Sequence, residues 1–261
     1  MKVEVYPDTQ AAGRAAARAV SRLLRDKPGA VLGFATGHTM IPVYGEIVRL
    51  HEEEGLSLAR ATTFNLDEYV GTGAGDPDSY YEFMMSRLVR QTDLPESSFH
   101  IPDGKASDPE RECKDYENRI ERAGGIDLQL LGLGRNGHIG FNEPGSPRDS
   151  RTRVIGLSDT TREVNSGDFR KIEGTPERAI TMGIANILEA KGILLVVTGW
   201  EKAGILHKVL VTPPTPDIPA TFLHQHPDVT LVADRDALEE YHFNVEDPGD
   251  SFEVSPQTGG G

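Results

Sequence analysis

Ile126-Asp127-Leu128-Gln129-Leu130-Leu131 runs directly into Gly132-Leu133-Gly134-Arg135-Asn136-Gly137-His138-Ile139-Gly140-Phe141-Asn142-Glu143-Pro144-Gly145-Ser146. The first six residues have the length and apolar character of a buried strand. The loop that follows matches the dinucleotide pattern G-x-G-x-x-G at Gly132, Gly134 and Gly137. That fingerprint requires a helix to open at the third glycine. Gly140, Pro144 and Gly145 follow too closely to allow one, so the match is formal. What stands is an irregular loop at the carboxyl end of a strand, where open α/β sheets deliver side chains to ligands. A histidine in such a loop is as often structural as catalytic. Here Asn136 and Glu143 flank His138 and can orient and tune its imidazole.

Strands and helices alternate on both sides of this junction. Val3–Tyr6 reads as a short edge strand, followed by an alanine-rich helix from about Ala11 to about Arg25 with Asp8 or Thr9 as cap. Ala30–Ala35 is a buried strand that empties into Thr36-Gly37-His38-Thr39, and a helical pattern then runs through Leu50. A strand, a small-residue turn and a helix start make either an anion site or an ordinary turn capped by Thr39. Ala61–Leu66 is the next strand and ends at Asp67-Glu68-Tyr69-Val70-Gly71, whose acids are a candidate base or solvated loop charges. Helical spacing returns over Tyr80–Gln91 and Pro109–Ala123.

Beyond the central loop, Val154–Leu157 is a short strand, a helical turn begins at Asp159, and a short helix spans Ile184–Ala190. Gly192–Gly199 is the most strand-like run, and Trp200-Glu201-Lys202 opens the next helix. Lys202 in a first turn opposes the helix dipole, which suits either an anion beside it or a lysine lying along the surface. His224 and His226 would share one face of a strand, but no third ligand accompanies them, so no metal is expected. Val229–Ala233 is the last strand, and an acidic, then glycine-rich tail follows from 245. The alternation predicts an α/β fold: a mostly parallel sheet with helices on both faces, Rossmann-like, in one domain over 1–244, with a flexible tail over 245–261.

Twenty-seven basic and forty-one acidic residues give the 261-residue chain a net charge of −14. That balance argues against nucleic acid and anionic membrane surfaces as partners. Cys113 is the only cysteine, which fits a reducing compartment. With no apolar signal region at Met1–Asp8 and no run of membrane-spanning length, a cytoplasmic location is expected.

Gly137-His138-Ile139-Gly140-Phe141-Asn142-Glu143-Pro144-Gly145 resembles the active-site loop of the glucosamine-6-phosphate deaminases. Further stretches resemble that family in its own order: Ala35–Thr39, Phe64–Gly71, Ser150–Arg153, Ala179–Gly183, Gly199–Ala203 and Leu223–Pro227. The 6-phosphogluconolactonases share the fold and the Gly-His pair but lack the Phe-Asn-Glu-Pro that follows here. The resemblance implies conversion of glucosamine 6-phosphate and water to fructose 6-phosphate and ammonia without a cofactor, and with it a hydrolase class. It assigns ring opening to His138, with Glu143 and Asn136 around it, and proton transfer between C2 and C1 to Asp67. It assigns the substrate's phosphate and contacts to Thr36, Gly37, His38, Thr39, Gly137 and Lys202.

Three departures from the family stand out. Asn136 replaces an aspartate found in many members, Gly167 replaces a phosphate-binding arginine with Arg170 three residues on, and Ile155 replaces an effector-site lysine although Ser146 and Arg153 are retained. Two other readings remain open on the sequence: a deaminase or isomerase for another amino-sugar phosphate, and a non-catalytic sugar-phosphate-sensing module. The partner implied is a small sugar phosphate, and a homo-oligomer is compatible with the sequence.

Overall fold

The computed structural model describes residues 1–157, 176–241 and 251–254. Two sheets organise it. The larger has eight strands in the order β11-β1-β10-β9-β6-β2-β3-β5, parallel throughout except for β11. Its strands are β1 (Lys2–Tyr6), β2 (Val31–Phe34), β3 (Thr62–Asn65), β5 (Phe99–His100), β6 (Leu128–Gly132), β9 (Gly192–Val197), β10 (Val229–Asp234) and β11 (Ser251–Glu253). All of β2 and β9 is buried, so both faces of the sheet centre are covered, as the continuous apolar runs of a parallel sheet require.

The helices follow from local chemistry. Helix α1 (Thr9–Asp26) starts where the Asp8 carboxylate accepts the Ala11 N–H at 2.7 Å. Its buried stripe begins with the small residues Ala12, Gly13, Ala16 and Ala17, which let it approach α2 (Ile41–Glu54) closely. A Cβ on Gly13 would lie 2.6 Å from Pro42 of α2, so the approach depends on that glycine. Helix α3 (Tyr80–Arg87) is capped by Ser79, and α4 (Pro109–Arg122) by Asp108. Later helices span Ile184–Leu188 and Ala203–Val211.

The smaller sheet is antiparallel and was not expected as a separate unit: β4 (Asp67–Tyr69) pairs with β8 (Arg178–Thr181), which pairs with β7 (Arg153–Gly156). Asp67 and Glu68 therefore do not trail from the end of β3. They belong to a strand of their own, sealed by a cluster of Tyr69, Phe141 and Ala179. Residue Leu66 links the sheets, giving its N–H to Phe34 and accepting that of Met182.

Other expectations are corrected at the ends of the chain. Strand β1 is not an edge strand, because β11 pairs antiparallel outside it. The segment expected to fray from 245 therefore contributes β11, and Val254 exchanges backbone hydrogen bonds with Met1. Gly167, Arg170 and the turn expected at Asp159 lie outside the described residues.

Strand order places the site. Beside each other, β2 leads outward to β3 on one side and β6 leads to β9 on the other. Connections that part in this way leave a crevice at the carboxyl ends of the strands. The loops after β2 and β6 flank it.

Candidate active site

A cleft of about 730 Å³ occupies this crevice, lined from the loops after β2, β3, β6 and β9. Of the residues expected from sequence, Thr36, Gly37, His38, Thr39, Asp67, Asn136, His138 and Lys202 all line it. These positions are scattered over some 165 residues of chain, and only the crossover connections bring them together.

The loop after β2 turns at Gly37, whose φ of 104° lies in the region that suits glycine. A short 3-10 turn, His38–Met40, then leads into α2. The Thr39 side chain makes no capping bond there, so the plain capped-turn reading does not hold. By position, the first N–H groups of this turn lack intrahelical acceptors, and His38 and Thr39 line the cleft, an arrangement suited to an anion. Lys202 meets the cleft from the loop after β9. It closes a 3-10 turn, Trp200–Lys202, rather than lying inside the helix that starts at Ala203. Burial, reinforced by the positive charge of Arg135, lowers the pKa of its ammonium group.

Asp67 is 5 % exposed, and its carboxyl pKa is pushed up to about 8, chiefly by burial and then by the charge of Glu68. The two acids play different parts. Glu68 is fully buried and its carboxylate accepts hydrogen bonds from the backbone of Tyr69, Tyr80 and Tyr81 and from the Thr72 hydroxyl. Those bonds oppose the effect of burial on its pKa and tie it to the start of α3. Asp67 alone of the pair lines the cleft.

The histidine loop is held as a unit. Asn136 Oδ1 lies 2.7 Å from His138 Nδ1 and also accepts the His138 backbone N–H at 3.2 Å. Its amide nitrogen donates to Glu143 Oε2 at 2.5 Å, and Glu143 Oε1 is 3.4 Å from His138 Nδ1. A carboxylate only accepts, so the Asn136 amide has one orientation consistent with its neighbours. That orientation presents an acceptor to Nδ1, which therefore carries a proton, and leaves Nε2 free to exchange one. Asn142, fully buried, pins the far end of the loop by donating to Ile139 O and Met182 O. Arg153 donates to Asn142 Oδ1 and to Ser146.

Two glycines set this geometry. A Cβ on Gly134 would fall 2.2 Å from the His138 ring, so the imidazole lies directly on that residue's backbone. Gly134→Ala should displace the ring by about an ångström and cost roughly a hundredfold in turnover, with the fold retained. Measuring kcat and the melting temperature together checks this. A variant with unchanged kcat would mean the ring position does not matter. Gly140, at φ +55°, brings the loop against Asp67, whose Oδ2 would be 3.3 Å from an added Cβ.

Some expectations need revision. Gly137 is not a wall of the cleft: a Cβ there would strike Ile218 at 2.5 Å, so its role is to let the loop pass that side chain. Glu143, expected to tune the histidine, lies against Asn136 and His138 Nδ1 and outside the lining of the cleft. Three polar residues of the lining have no role assigned from the sequence: Arg135, Tyr80 and Glu201. Tyr80 hydrogen-bonds Tyr69 at 3.0 Å and stacks on Phe141 with centroids 6.0 Å apart. Nothing in its local pattern separates it from any other first residue of a helix.

His224 and His226 lie at the end of a 3-10 stretch, Pro219–Gln225, not on a strand. Their Nε2 atoms approach the carbonyls of Val209 and Ala190, each at 2.7 Å, which gives them structural work. Among the described residues no group of His, Cys, Asp and Glu is arranged to hold a metal, and no helix is long and apolar enough to cross a membrane.

Residues 8–232 match the family described as glucosamine-6-phosphate isomerases/6-phosphogluconolactonase. A glucosamine-6-phosphate deaminase of Geobacillus sp. (strain WCH70) is 47 % identical over 215 residues, covering 82 % of this chain and 86 % of that protein. Glucosamine-6-phosphate deaminase 1 of Bacillus subtilis (strain 168) is 45 % identical over 237 residues, covering 91 % and 98 %. A solved structure of a monomeric glucosamine-6-phosphate deaminase superimposes with a TM-score of 0.89 at 44 % identity, covering 92 % of this chain and 99 % of that one. A 6-phosphogluconolactonase of Trypanosoma brucei, at 22 % identity and a TM-score of 0.73 over 92 % of this chain and 98 % of that one, shares the fold. The hydrolase class expected from sequence is corrected by these findings, since the similar proteins are named deaminases and the family description names an isomerase.

Proposed function

The chain belongs to the glucosamine-6-phosphate isomerase/6-phosphogluconolactonase family, and we propose that within it this protein is a glucosamine-6-phosphate deaminase, yielding fructose 6-phosphate and ammonia. The observation that carries this reading is one cleft holding a buried carboxyl, Asp67, and an imidazole, His138, beside a turn and a lysine suited to a phosphate.

The chemistry follows from those groups. His138 Nε2 takes the proton of the anomeric hydroxyl and returns one to the ring oxygen, opening the pyranose to the aldehyde. Asp67, as carboxylate, removes the proton on C2, and as the C1–C2 double bond forms O1 takes a proton from the substrate's ammonium group, giving a neutral enolamine. Returning that proton to C1 leaves a ketimine at C2, which water converts to the ketone with release of ammonia. Each transfer needs a positioned group whose pKa lies near the working pH, and burial brings Asp67 into that range. Asn136 and Glu143 hold the imidazole so that Nε2, not Nδ1, does the work. The residues Thr36–Thr39 and Lys202 receive the phosphate, and no step in this sequence calls for a cofactor. The buried lone Cys113 accords with a cytoplasmic setting for the reaction.

The reading is tested by ammonia release from a panel of 2-amino sugar phosphates, with the unphosphorylated sugars as controls. Glucosamine 6-phosphate should react fastest and give fructose 6-phosphate. Preference for the galactosamine epimer would change the substrate. Binding without ammonia release from any of them would point to a sensing module. Within this scheme Lys202→Ala should raise KM about ten- to a hundredfold with little change in kcat, the worth of a charge-assisted contact to phosphate. Steady-state kinetics decides it, and an unchanged KM removes Lys202 from the phosphate site.

A further inference from the structure

The chain is acidic overall, and several of its cations are held in ion pairs. Arg49 pairs with Glu46, Glu53 and Glu54, Arg151 with Glu117 and Glu189, and Lys27 and Lys191 share Asp127. Two cations that are not so held line the cleft together. Arg135 and Lys202 both line it, and neither makes a hydrogen bond or ion pair among the described residues. They reach it from different strands of the sheet, Arg135 from the loop after β6 and Lys202 from the loop after β9. They are close enough for the guanidinium to disfavour the charge on the half-buried lysine, and only Glu201 opposes that effect. Two unpaired like charges facing one cleft raise each other's energy, and an anion bound between them would reverse the sign of both interactions.

Resting on the deaminase reading, we infer that Arg135 is a second cation of the phosphate site, closing with Lys202 and the Thr36–Thr39 turn on the phosphoryl group of the substrate. A guanidinium offers several N–H donors in a fixed fork that suits phosphate oxygens, whereas an ammonium acts as a point charge. The arrangement selects a doubly charged phosphate monoester, with its sugar running from this end of the cleft toward His138 and Asp67. Arg135 directly precedes Asn136, which holds the imidazole. Contact with the phosphate therefore fixes the start of the loop that carries the ring.

The test compares Arg135→Gln and Arg135→Lys with the unaltered protein in two measurements. One is the calorimetric affinity for inorganic phosphate, and the other is steady-state kinetics on glucosamine 6-phosphate. Because Arg135 is exposed, Arg135→Gln should weaken phosphate binding and raise KM by about five- to thirtyfold, with kcat within a factor of about two. Arg135→Lys should recover part of both. Phosphate affinity unchanged in Arg135→Gln overturns the assignment, as does a fall in kcat with phosphate binding intact. Phosphate bound by the unaltered protein and weakened in Arg135→Gln, with no ammonia released by either, would retain the anion site and refute only the deaminase reading. A protein that binds no phosphate at all refutes the site itself.

Discussion

Asp67→Asn should leave substrate binding nearly intact and lower turnover by about 10²–10⁴-fold, the usual worth of a positioned general base. The amide keeps the shape of the carboxyl but cannot accept the C2 proton. Substrate deuterated at C2 separates this from a general loss of activity. The native enzyme should wash the label into water or carry part of it to C1 of fructose 6-phosphate, and the variant should leave it at C2. Exchange at the native rate in the variant would transfer the role to another group. Glu68 is a poor successor, because its carboxylate is occupied by four hydrogen bonds away from the cleft.

The same substitution has a stability signature of known sign. With its pKa raised from 3.8 to about 8 in the folded protein, Asp67 binds a proton more tightly there than in the unfolded chain. Its contribution to stability is therefore full at low pH, falls as pH rises from about 4, and is lost above about 8. A tenfold difference in proton affinity between the two states corresponds to about 1.4 kcal/mol. Asp67→Asn removes that loss, so it should melt several degrees above the native protein at about pH 9 and close to it at about pH 4. Activity of the native enzyme should run the other way, with kcat/KM rising toward pH 8 as the carboxyl ionises. A variant at once less active and more stable in base is what a functional buried acid produces, and what a structural one does not.

Much of this was legible in the sequence, and the gaps share a cause. The runs Val31–Phe34, Leu128–Gly132 and Gly192–Val197 betray themselves because strands covered on both faces are continuously apolar. The site loops are marked by glycines and by residue types that carry chemistry. What escaped depends on partners far away in the chain. Asp67–Tyr69 looks like a continuation of β3, yet it turns out of the parallel sheet to pair with Arg178–Thr181. No local pattern announces a partner a hundred residues on. Likewise Gly137 fits a ligand-binding loop equally well as wall or as hinge, and only the nearness of Ile218 decides it. Arg135 reads as an ordinary loop arginine until Lys202 is seen across the cleft.

His138→Ala should cost as much as loss of the base, about 10²–10⁴-fold in turnover, but at an earlier step. The ring lies on Gly134 with its Nδ1 held by Asn136 and its side chain still 30 % exposed, so removing it opens a slot into the cleft without disturbing the core. Two measurements isolate its role. An acyclic analogue, the alditol formed by reducing the substrate, has no ring to open. Its affinity should be little changed by His138→Ala, whereas conversion of the cyclic substrate collapses. Added imidazole should then enter the vacated slot and restore part of the turnover in proportion to its concentration, because what the variant lacks is a proton carrier at Nε2. Loss of affinity for the acyclic analogue equal to the loss in turnover would make His138 a binding residue. Failure of imidazole to rescue, with the analogue still bound, would move ring opening to a different group.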